Sequence, residues 1–403
     1  MAVQPFTLTP PQKRFVTAGY YGSFLAVGLV TASLGPALPY LAEKAQVSLS
    51  AISILFASRS MGRILGALLS GKLYDHFRGH SLLILSLTIL GLTTVLIPLP
   101  AILWGLILIT FLNGIAQGMI NVGGNTLLVW LHGAKFAPWM NGLHGFFGIG
   151  SMIAPILIAW IFSAGGGLNW AFLSIAMLML PACLLVFRAP AVLPQPAVRE
   201  NSTNARTVPM MVLLIAIFFF CYAGTLQTFG GWIYTYALEM SITGPQMAGV
   251  LTSLYWGVFT FGRLVSIPLS SKLRCETMLW GGLAGSFVAI LILMGLPANP
   301  TAIWSGTILL GVCLAPLFAA MMAFAEQKMH ITAQVNSWFN VGHSIGLLVI
   351  PWLVGQFFES AGPQVMFLIL MFTTLIGAAM LLILITTARH QTKNAQPLLQ
   401  ESK

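Results

Sequence analysis

The stretch FLNGIAQGMINVGGNTLLVW, from Phe111 to Trp130, decides the fold because it is apolar and long enough to cross a membrane. Within it a carboxamide recurs at every fourth residue, which predicts that these side chains share one face of a helix. A carboxamide that faces lipid loses its hydrogen bonds to water, so this face is expected to meet protein or a water-filled cavity. The pattern favours a cavity, with hydrogen bonding between transmembrane helices as the alternative. The four side chains are Asn113, Gln117, Asn121 and Asn125.

Composition places the chain among integral membrane proteins. Of its 403 residues 58% are hydrophobic and only 6% are charged, whereas a soluble domain carries about 25% charged residues. The formal net charge is +10, but the basic residues are scattered through short loops, so no nucleic-acid partner is expected. The four cysteines lack metal-ligand spacing and are expected to pack without a disulfide. Neither a metal cluster nor a nucleophile–base pair is apparent, so the sequence does not predict an enzyme.

Twelve apolar segments, each near or above the roughly 20 residues that cross a bilayer, predict an all-α integral membrane protein. A connection rich in Pro, Asn and Arg, residues 188–208, is predicted to be a cytoplasmic linker. It separates an N-terminal six-helix bundle, residues 1–187, from a C-terminal six-helix bundle, residues 209–388, and residues 389–403 form a cytoplasmic tail. The segments are placed at about 15–42, 49–72, 81–99, 101–131, 137–163, 168–187, 209–236, 245–272, 277–296, 302–326, 333–358 and 363–388.

An internal repeat relates the two halves of the chain. Gly62-Arg63-Ile64 in the second segment recurs 200 residues later as Gly262-Arg263-Leu264 in the eighth. The Pro-x-Leu motif at Pro155 in the fifth segment recurs 196 residues later at Pro351 in the eleventh. The repeat therefore predicts two pseudo-symmetric bundles with the same orientation, as in transporters whose halves are related by an axis along the membrane normal.

Lysine and arginine predict the orientation in the membrane. With the N-terminus inside, the inner loops and tails hold nearly all the basic loop residues, and Lys44 alone falls in an outer loop. Because positively charged loops stay in the cytoplasm, both termini are predicted to be cytoplasmic, in a multi-pass protein of the cytoplasmic (inner) membrane. The expected partners are the lipid bilayer and a small-molecule substrate, and the protein is expected to be a monomer.

The stretch from Gly71 to His80, which follows the second segment, reads GKLYDHFRGH. It resembles the signature Gly-x-x-x-Asp-Arg/Lys-x-Gly-Arg-Arg/Lys between helices two and three of the major facilitator superfamily, although His76 replaces a basic residue. The resemblance implies the major facilitator fold and transport by alternating access. We expect a loop in which Gly71, Asp75 and Arg78 form a cytoplasmic gate, because a small residue permits close helix contact and a carboxylate makes charge-assisted bonds. An ordinary solvated turn is the alternative.

Within that superfamily the chain is most similar to the branch of fucose–proton symporters and sodium-dependent glucose transporters. The similarity lies in GMINVGGN from Gly118, GGWIYTY from Gly230 and SWFNVG from Ser337. Members of that branch often carry an acidic residue where Asn121 stands here, and another near Gln227. The resemblance implies a sugar transporter coupled to H⁺ or Na⁺, whereas the missing carboxylates leave a uniporter open. No other cofactor is expected.

Carboxamides suit a sugar because one group can both donate and accept hydrogen bonds, as each sugar hydroxyl does. Aromatic rings can cover the C–H faces of a sugar, although core packing is the alternative for each ring. Asn336, Asn340 and His343 share a helix face by their spacing. The predicted substrate-binding residues are Gln117, Asn121, Asn125, Asn141, His144, Gln227, Trp232, Tyr234, Trp256, Asn336, Asn340 and His343.

Three arginines fall inside apolar segments, where a guanidinium is costly unless it is paired or hydrated. Arg59 and Arg63 are four residues apart, and Arg263 is the repeat equivalent of Arg63. They are predicted either to bind an anionic substrate through a bidentate fork or to pair structurally with helix carbonyls or Glu326. A proton-coupled mechanism needs a titrating group, for which the candidates are His144, His343 and, less well placed, Glu326.

Three functions remain as alternatives at this point. The leading prediction is a secondary transporter of a sugar or sugar-like polyol, with the substrate bound midway between the halves. The second is a transporter of an organic anion or amphiphile that uses the intramembrane arginines. The third, from another class, is a non-transporting nutrient sensor on the same fold, which the short tail from Arg389 to Lys403 disfavours.

Overall fold

Helices form every regular element of the described chain. The computed structural model describes residues 8–190, 192, 209–329 and 331–400. This part of the chain contains 12 spans that are long and apolar enough to cross a membrane. The predicted all-α, multi-pass membrane architecture is therefore confirmed. The helices are α1 (Pro10–Ala45), α2 (Leu49–Ile52), α3 (Ile54–His76), α4 (Gly79–Leu96), α5 (Leu103–His132), α6 (Ala137–Ser163), α7 (Leu168–Arg188), α8 (Pro209–Glu239), α9 (Pro245–Ser270), α10 (Cys275–Gly295), α11 (Pro300–Leu314), α12 (Leu317–Lys328), α13 (Ala333–Phe358) and α14 (Val365–Gln400), with a 3-10 turn at Gly133–Lys135.

Two of the membrane spans are interrupted, which the predicted segments 49–72 and 302–326 did not anticipate. The second span begins as α2 and continues as α3 after Ser53, whose hydroxyl donates to the carbonyl of Ser50 at 2.7 Å. The tenth span is divided into α11 and α12 by Ala315 and Pro316. Proline lacks the N–H of a helical hydrogen bond, and its ring clashes with the preceding turn. This chemistry explains the second interruption.

The expected loop from Gly71 to His80 is mostly helical, so this prediction was wrong. α3 continues to His76 and α4 begins at Gly79, which leaves a connection of two residues. No proline or paired glycine lies before His76 to end the helix sooner. A Cβ added to Gly71 would meet no atom within 4 Å, so the structure does not show the close helix contact that was expected there.

The chain divides into two compact units. The first unit holds α1 to α7 together with Ile233–Leu238 of α8 and the stretch Thr243–Gly257. Within this unit α3 packs along α5, α1 packs along α6 and α7, and α4 packs against α5 and α7. The second unit holds the other parts of α8 and α9 with α10 to α14, and within it α10 packs against α11, α12 and α14. Most of the linker 188–208 lies outside the described residues, so the bundle boundaries at 187 and 209 stay predictions.

Glycines allow α3 and α5 to approach each other closely. A Cβ at Gly62 or Gly66 of α3 would overlap a carbonyl oxygen of α5, and a Cβ at Gly114 or Gly118 of α5 would overlap a carbonyl oxygen of α3. The glycines of each pair are four residues apart, so they lie on the same face of their helix. Small residues let membrane helices pack backbone against backbone. This interface brings the arginines of α3 beside the carboxamides of α5.

The internal repeat is visible in the packing of each unit. In the first unit, a Cβ at Gly150 of α6 would overlap the carbonyl oxygen of Leu25 in α1. In the second unit, a Cβ at Gly346 of α13 would overlap the carbonyl oxygen of Phe220 in α8. Gly150 and Gly346 are equivalent positions of the 196-residue repeat. The same close helix contact is therefore built once in each unit.

The last helix is longer than the predicted segment. That segment was expected to end near residue 388, but α14 runs from Val365 to Gln400, and its membrane span ends at Thr387. No glycine or proline lies between Gly377 and Pro397, so the sequence supplies no stop signal at the membrane boundary. The side chains of residues 388–400 lie outside the described part of the chain.

Candidate functional site

The carboxamide stripe of α5 divides into two halves, which corrects the prediction of a single polar face. Asn113 and Gln117 are fully buried, whereas Asn121 is exposed and Asn125 is half-buried. The cause is helix geometry, because residues four apart are offset by about 40° at 3.6 residues per turn. Over the three steps of the stripe the offset grows to about 120°, so its two ends face different surroundings.

The buried half of the stripe belongs to a hydrogen-bonded network inside the first unit. Gln117 Nε2 donates to Asn113 Oδ1 at 2.8 Å, and Asn113 Nδ2 donates to Thr93 Oγ1 at 3.0 Å. The other end of Gln117 accepts two bonds at Oε1, from Thr31 Oγ1 at 3.1 Å and from Arg63 Nη2 at 2.8 Å. The network joins α1, α3, α4 and α5. For Asn113 and Gln117 the structure therefore shows contacts between helices, which was the alternative to a cavity wall.

The three intramembrane arginines have different surroundings. Arg59 is only 4% exposed, and its two Nη atoms donate to the carbonyls of Val30 at 3.1 Å and Thr31 at 3.2 Å in α1. Arg63 is half-buried. The guanidinium carbon of Arg263 lies 5.5 Å from the ring centre of Phe259, within the range of a cation–π contact. Arg59 is thus paired with helix carbonyls, as one of the two interpretations predicted.

The accessible half of the stripe and two polar candidates of α6 have partly exposed side chains in the first unit. Asn125 Nδ2 donates to the carbonyl of Asn121 at 2.8 Å, while Asn125 Oδ1 is buried without a hydrogen bond in the described chain. Asn141 of α6 is exposed and His144 is half-buried. The ring of His144 meets Phe24 edge-on at 5.6 Å. Exposed carboxamides such as those of Asn121 and Asn141 suit a polar ligand or water.

The candidates on α13 form a similar accessible surface within the second unit. Asn336 and Asn340 are exposed, and Asn340 Nδ2 donates to the carbonyl of Asn336 at 2.8 Å. His343 is half-buried, and its ring lies 5.9 Å from the ring of Phe318. Glu326, at the end of α12, is exposed and outside the apolar interior. The coupling roles predicted for His343 and Glu326 stay predictions.

The aromatic candidates lie in packed interior. Trp232 is fully buried and donates from Nε1 to the carbonyl of Pro351 at 2.9 Å. Tyr234 is fully buried, and Trp256 is 2% exposed. Gln227 is 6% exposed. The structure does not show a substrate contact by any of these side chains, so the binding roles predicted for them stay predictions.

Trp232→Phe is expected to lower the stability modestly without changing the fold. The smaller ring still packs near Phe358, whose ring centre lies 4.7 Å from that of Trp232. The loss is the hydrogen bond to Pro351, worth about 1 kcal/mol. The check is the melting temperature in detergent, which should fall by a few degrees for Trp232→Phe and by far more for Trp232→Ala. Equal melting temperatures for wild type and Trp232→Phe would contradict a stabilising role for this bond.

A groove at the end of α1 was missed by the sequence analysis. It has a volume of about 400 Å³ and is lined by Tyr40, Glu43, Lys44, Gln46, Phe162 and Leu168. Tyr40 stacks on Phe162 with ring centres 4.3 Å apart, and its hydroxyl lies 3.0 Å from that of Tyr234. The volume is within the usual range for small-ligand pockets. Four of its lining residues lie at the end of α1 and the other two come from α6 and α7, so the sequence of α1 alone does not reveal the groove.

The predicted gate is described only in part. Arg78 is exposed, and the side chain of Asp75 lies outside the described residues. The contact that the structure shows at this end of α4 is between the Tyr20 hydroxyl of α1 and His80 Nε2, at 2.6 Å. A gate formed by Gly71, Asp75 and Arg78 therefore stays a prediction.

A family model decides the class of the protein. The model described as Major Facilitator Superfamily matches residues 20–346, which is most of the chain. The chain belongs to the Major Facilitator Superfamily. Together with the 12 membrane spans, this membership confirms the prediction of a membrane transporter rather than an enzyme.

Named relatives of this superfamily member include several sugar transporters. Sodium-dependent glucose transporter 1A of Mus musculus is 27% identical over 83% of this chain and 88% of that protein. Sodium-dependent glucose transporter 1 of Xenopus laevis is 29% identical over 88% of this chain and 78% of that protein. Major facilitator superfamily domain-containing protein 4A of Homo sapiens is 25% identical over 86% of this chain and 87% of that protein. The predicted branch resemblance is confirmed.

Solved structures support the same fold. The nucleoside transporter NupG, as its D323A mutant, matches with a TM-score of 0.74 over 93% of this chain and 99% of that chain, at 13% identity. At that identity the match shows the major facilitator fold alone.

Within the described residues no group of three or more His, Cys, Asp or Glu side chains could hold a metal ion, and the four cysteines are free.

Proposed function

We propose that this protein is a secondary transporter that moves a sugar or sugar-like polyol across the membrane by alternating access. The observation that carries the proposal is a set of neutral carboxamides in each unit that are exposed or half-buried: Asn121, Asn125 and Asn141 in the first, and Asn336 and Asn340 in the second. Neutral groups that both donate and accept fit sugar hydroxyls. The names of the glucose-transporting relatives support the same substrate class.

Coupling to sodium is part of the proposal, supported by the names of those relatives. The described chain offers no deeply buried carboxylate, since Glu43, Glu239, Glu326 and Glu359 are exposed and Glu276 is half-buried at the start of α10. A sodium site here would therefore be built from carbonyl, hydroxyl and carboxamide oxygens. We further propose that the protein acts as a monomer in the cytoplasmic membrane. Both termini are proposed to lie inside, because its basic loop residues concentrate on one side.

The deciding experiment is uptake of radiolabelled hexoses by purified protein in liposomes. We expect saturable uptake of at least one hexose, and accumulation above equilibrium when an inward sodium gradient is imposed. Protein-free liposomes and choline in place of sodium are the controls. Equal initial rates in sodium and choline would remove sodium coupling and leave a uniporter or proton symporter, which an imposed proton gradient distinguishes. No uptake across a broad panel of sugars would overturn the proposed substrate class.

A further inference from the structure

Two arginines one helical turn apart on α3 differ sharply in their hydrogen bonding. Arg59 is almost completely buried and gives both Nη atoms to carbonyls of α1. Arg63 is half-buried, and among the described residues its one hydrogen bond runs from Nη2 to Gln117 Oε1 at 2.8 Å. A guanidinium carries five N–H donors. Most of the donor capacity of Arg63 is therefore unused by the described residues.

The accessibility of the individual nitrogens of Arg63 can be separated. Nε is buried and has no hydrogen-bond partner. Nη1 also has no partner in the described chain, and it is not among the buried unpaired atoms, so it keeps some accessible surface. Arg63 thus has one unbonded nitrogen with accessible surface, Nη1, while Gln117 holds Nη2.

Arg63 lies deep in its membrane span. It is eight residues from the end of the span Leu49–Gly71, or about 12 Å at 1.5 Å per residue. Gln117 lies near the middle of the span Leu103–His132. Transporters built from such repeats bind their substrates near the midplane of the bilayer. The depth of the Arg63–Gln117 pair therefore suits a binding site better than a helix end.

Among the described residues, no carboxylate lies where it could pair with the charge of Arg63. An unpaired guanidinium at this depth is costly, and the five acidic residues whose side chains the structure describes in or beside the helices are exposed or lie at a helix start. The group that orients Arg63 is itself fixed, because Gln117 is bonded to Asn113 and Thr31 as well. A charged donor held in one geometry before binding is the usual design of a specificity-determining contact.

We propose that Arg63 contacts the substrate and determines specificity by donating to its oxygen acceptors, with Gln117 as a positioning residue and Arg59 as a structural one. This inference rests on the proposed function of sugar transport. The shared ligand chemistry is an oxygen acceptor at one edge of a monosaccharide. It is either a hydroxyl of a neutral hexose or the carboxylate of a sugar acid, and the experiment below separates the two.

The test compares Arg63→Gln, Arg63→Lys, Arg59→Gln and Arg188→Gln in liposomes, with a neutral hexose and the corresponding hexuronic acid as substrates. Arg188 is an exposed arginine at the end of α7, so Arg188→Gln controls for the loss of one positive charge. We expect Arg63→Gln to raise KM about 10- to 100-fold, because this factor corresponds to the loss of one hydrogen bond to a charged group. The value of kcat should change little. Arg63→Lys should recover part of the loss. Arg59→Gln should lower the melting temperature and leave KM near the wild-type value.

The outcomes are distinguishable from a failure of the proposed function. If the wild-type protein transports a sugar and Arg63→Gln, folded as judged by its melting temperature, keeps the wild-type KM for both substrates, the role of Arg63 is overturned while sugar transport stands. A raised KM for the hexuronic acid alone identifies the carboxylate as the bound group, and a raised KM for both identifies hydroxyl oxygens. If the wild-type protein transports neither class, the proposed function fails and this inference fails with it.

Discussion

Replacing Gly114 by valine is expected to abolish the accumulation of folded protein. A Cβ at this position would overlap the carbonyl oxygen of Arg59, and that atom is helix backbone, which cannot rotate away as a side chain can. α5 would have to move away from α3, and with it the reciprocal contacts at Gly62 and Gly118 would open. Membrane helices gain their stability from this kind of close packing, so the loss extends along the whole interface.

The measurement is the yield of monodisperse protein after extraction in mild detergent, followed by size-exclusion chromatography. The matched control is Gly91→Val in α4, another glycine within a membrane span, because a Cβ there would meet no atom within 4 Å. We expect Gly91→Val to give the wild-type yield and elution volume, and Gly114→Val to aggregate or fail to accumulate. Similar yields for the two variants would show that the α3–α5 contact tolerates separation.

The positions of the membrane spans follow from the sequence. The glycine spacing that allows α3 and α5 to pack closely is also present in the sequence, but it was not recognised there. Runs of about 20 apolar residues are decided by bilayer thickness alone, so they need no knowledge of neighbouring helices. Gly62 and Gly66, like Gly114 and Gly118, have the four-residue spacing that marks helix contacts in membranes. What the spacing cannot tell is which two helices meet. The partner of α3 became known only with the structure.

The orientation of single polar side chains was less predictable. A repeat of four residues drifts around a helix whose period is 3.6, so the carboxamides of α5 separate into buried Gln117 and exposed Asn121. Which carboxamides are buried also depends on other helices, because the hydroxyls of Thr31 and Thr93 form hydrogen bonds with Gln117 and Asn113. Threonines inside helices often bond to their own backbone, and for this reason these contacts could not be predicted from sequence.

The burial of the aromatic candidates was hard to predict for a related reason. The glycines beside Trp232 make its helix resemble the wall of a cavity, but the indole is buried against Phe358 and bonded to Pro351. A tryptophan on such a helix can face either way, and the choice depends on which surface of α13 lies beside it. Burial is a property of a pair of helices, so it does not follow from the residues of one of them.

Gln117→Leu is expected to produce the second large effect, a loss of stability that begins in the buried network. Leucine has a similar size but offers no acceptor to Arg63 or Thr31 and no donor to Asn113. Each unsatisfied buried group costs about 1–3 kcal/mol in water-soluble proteins, and a hydrogen bond between membrane helices contributes about 0.6 kcal/mol. For the three lost bonds we expect roughly 2–4 kcal/mol of destabilisation. The check is the melting temperature of the purified protein in detergent, with Asn121→Leu on the exposed half of α5 as the control.

Gln117→Glu separates the acceptor function of this residue from its donor function. The carboxylate can still accept from Arg63 and Thr31, and it forms an ion pair with the guanidinium, but it cannot donate to Asn113 Oδ1. We therefore expect a melting temperature between those of wild type and Gln117→Leu. Because the ion pair neutralises the group proposed to bind the substrate, KM should rise although the protein is better folded than Gln117→Leu. If both variants melt at the wild-type temperature, the network contributes no stability. The α3–α5 backbone contact must then stabilise the burial of the Asn113, Gln117 and Arg63 side chains.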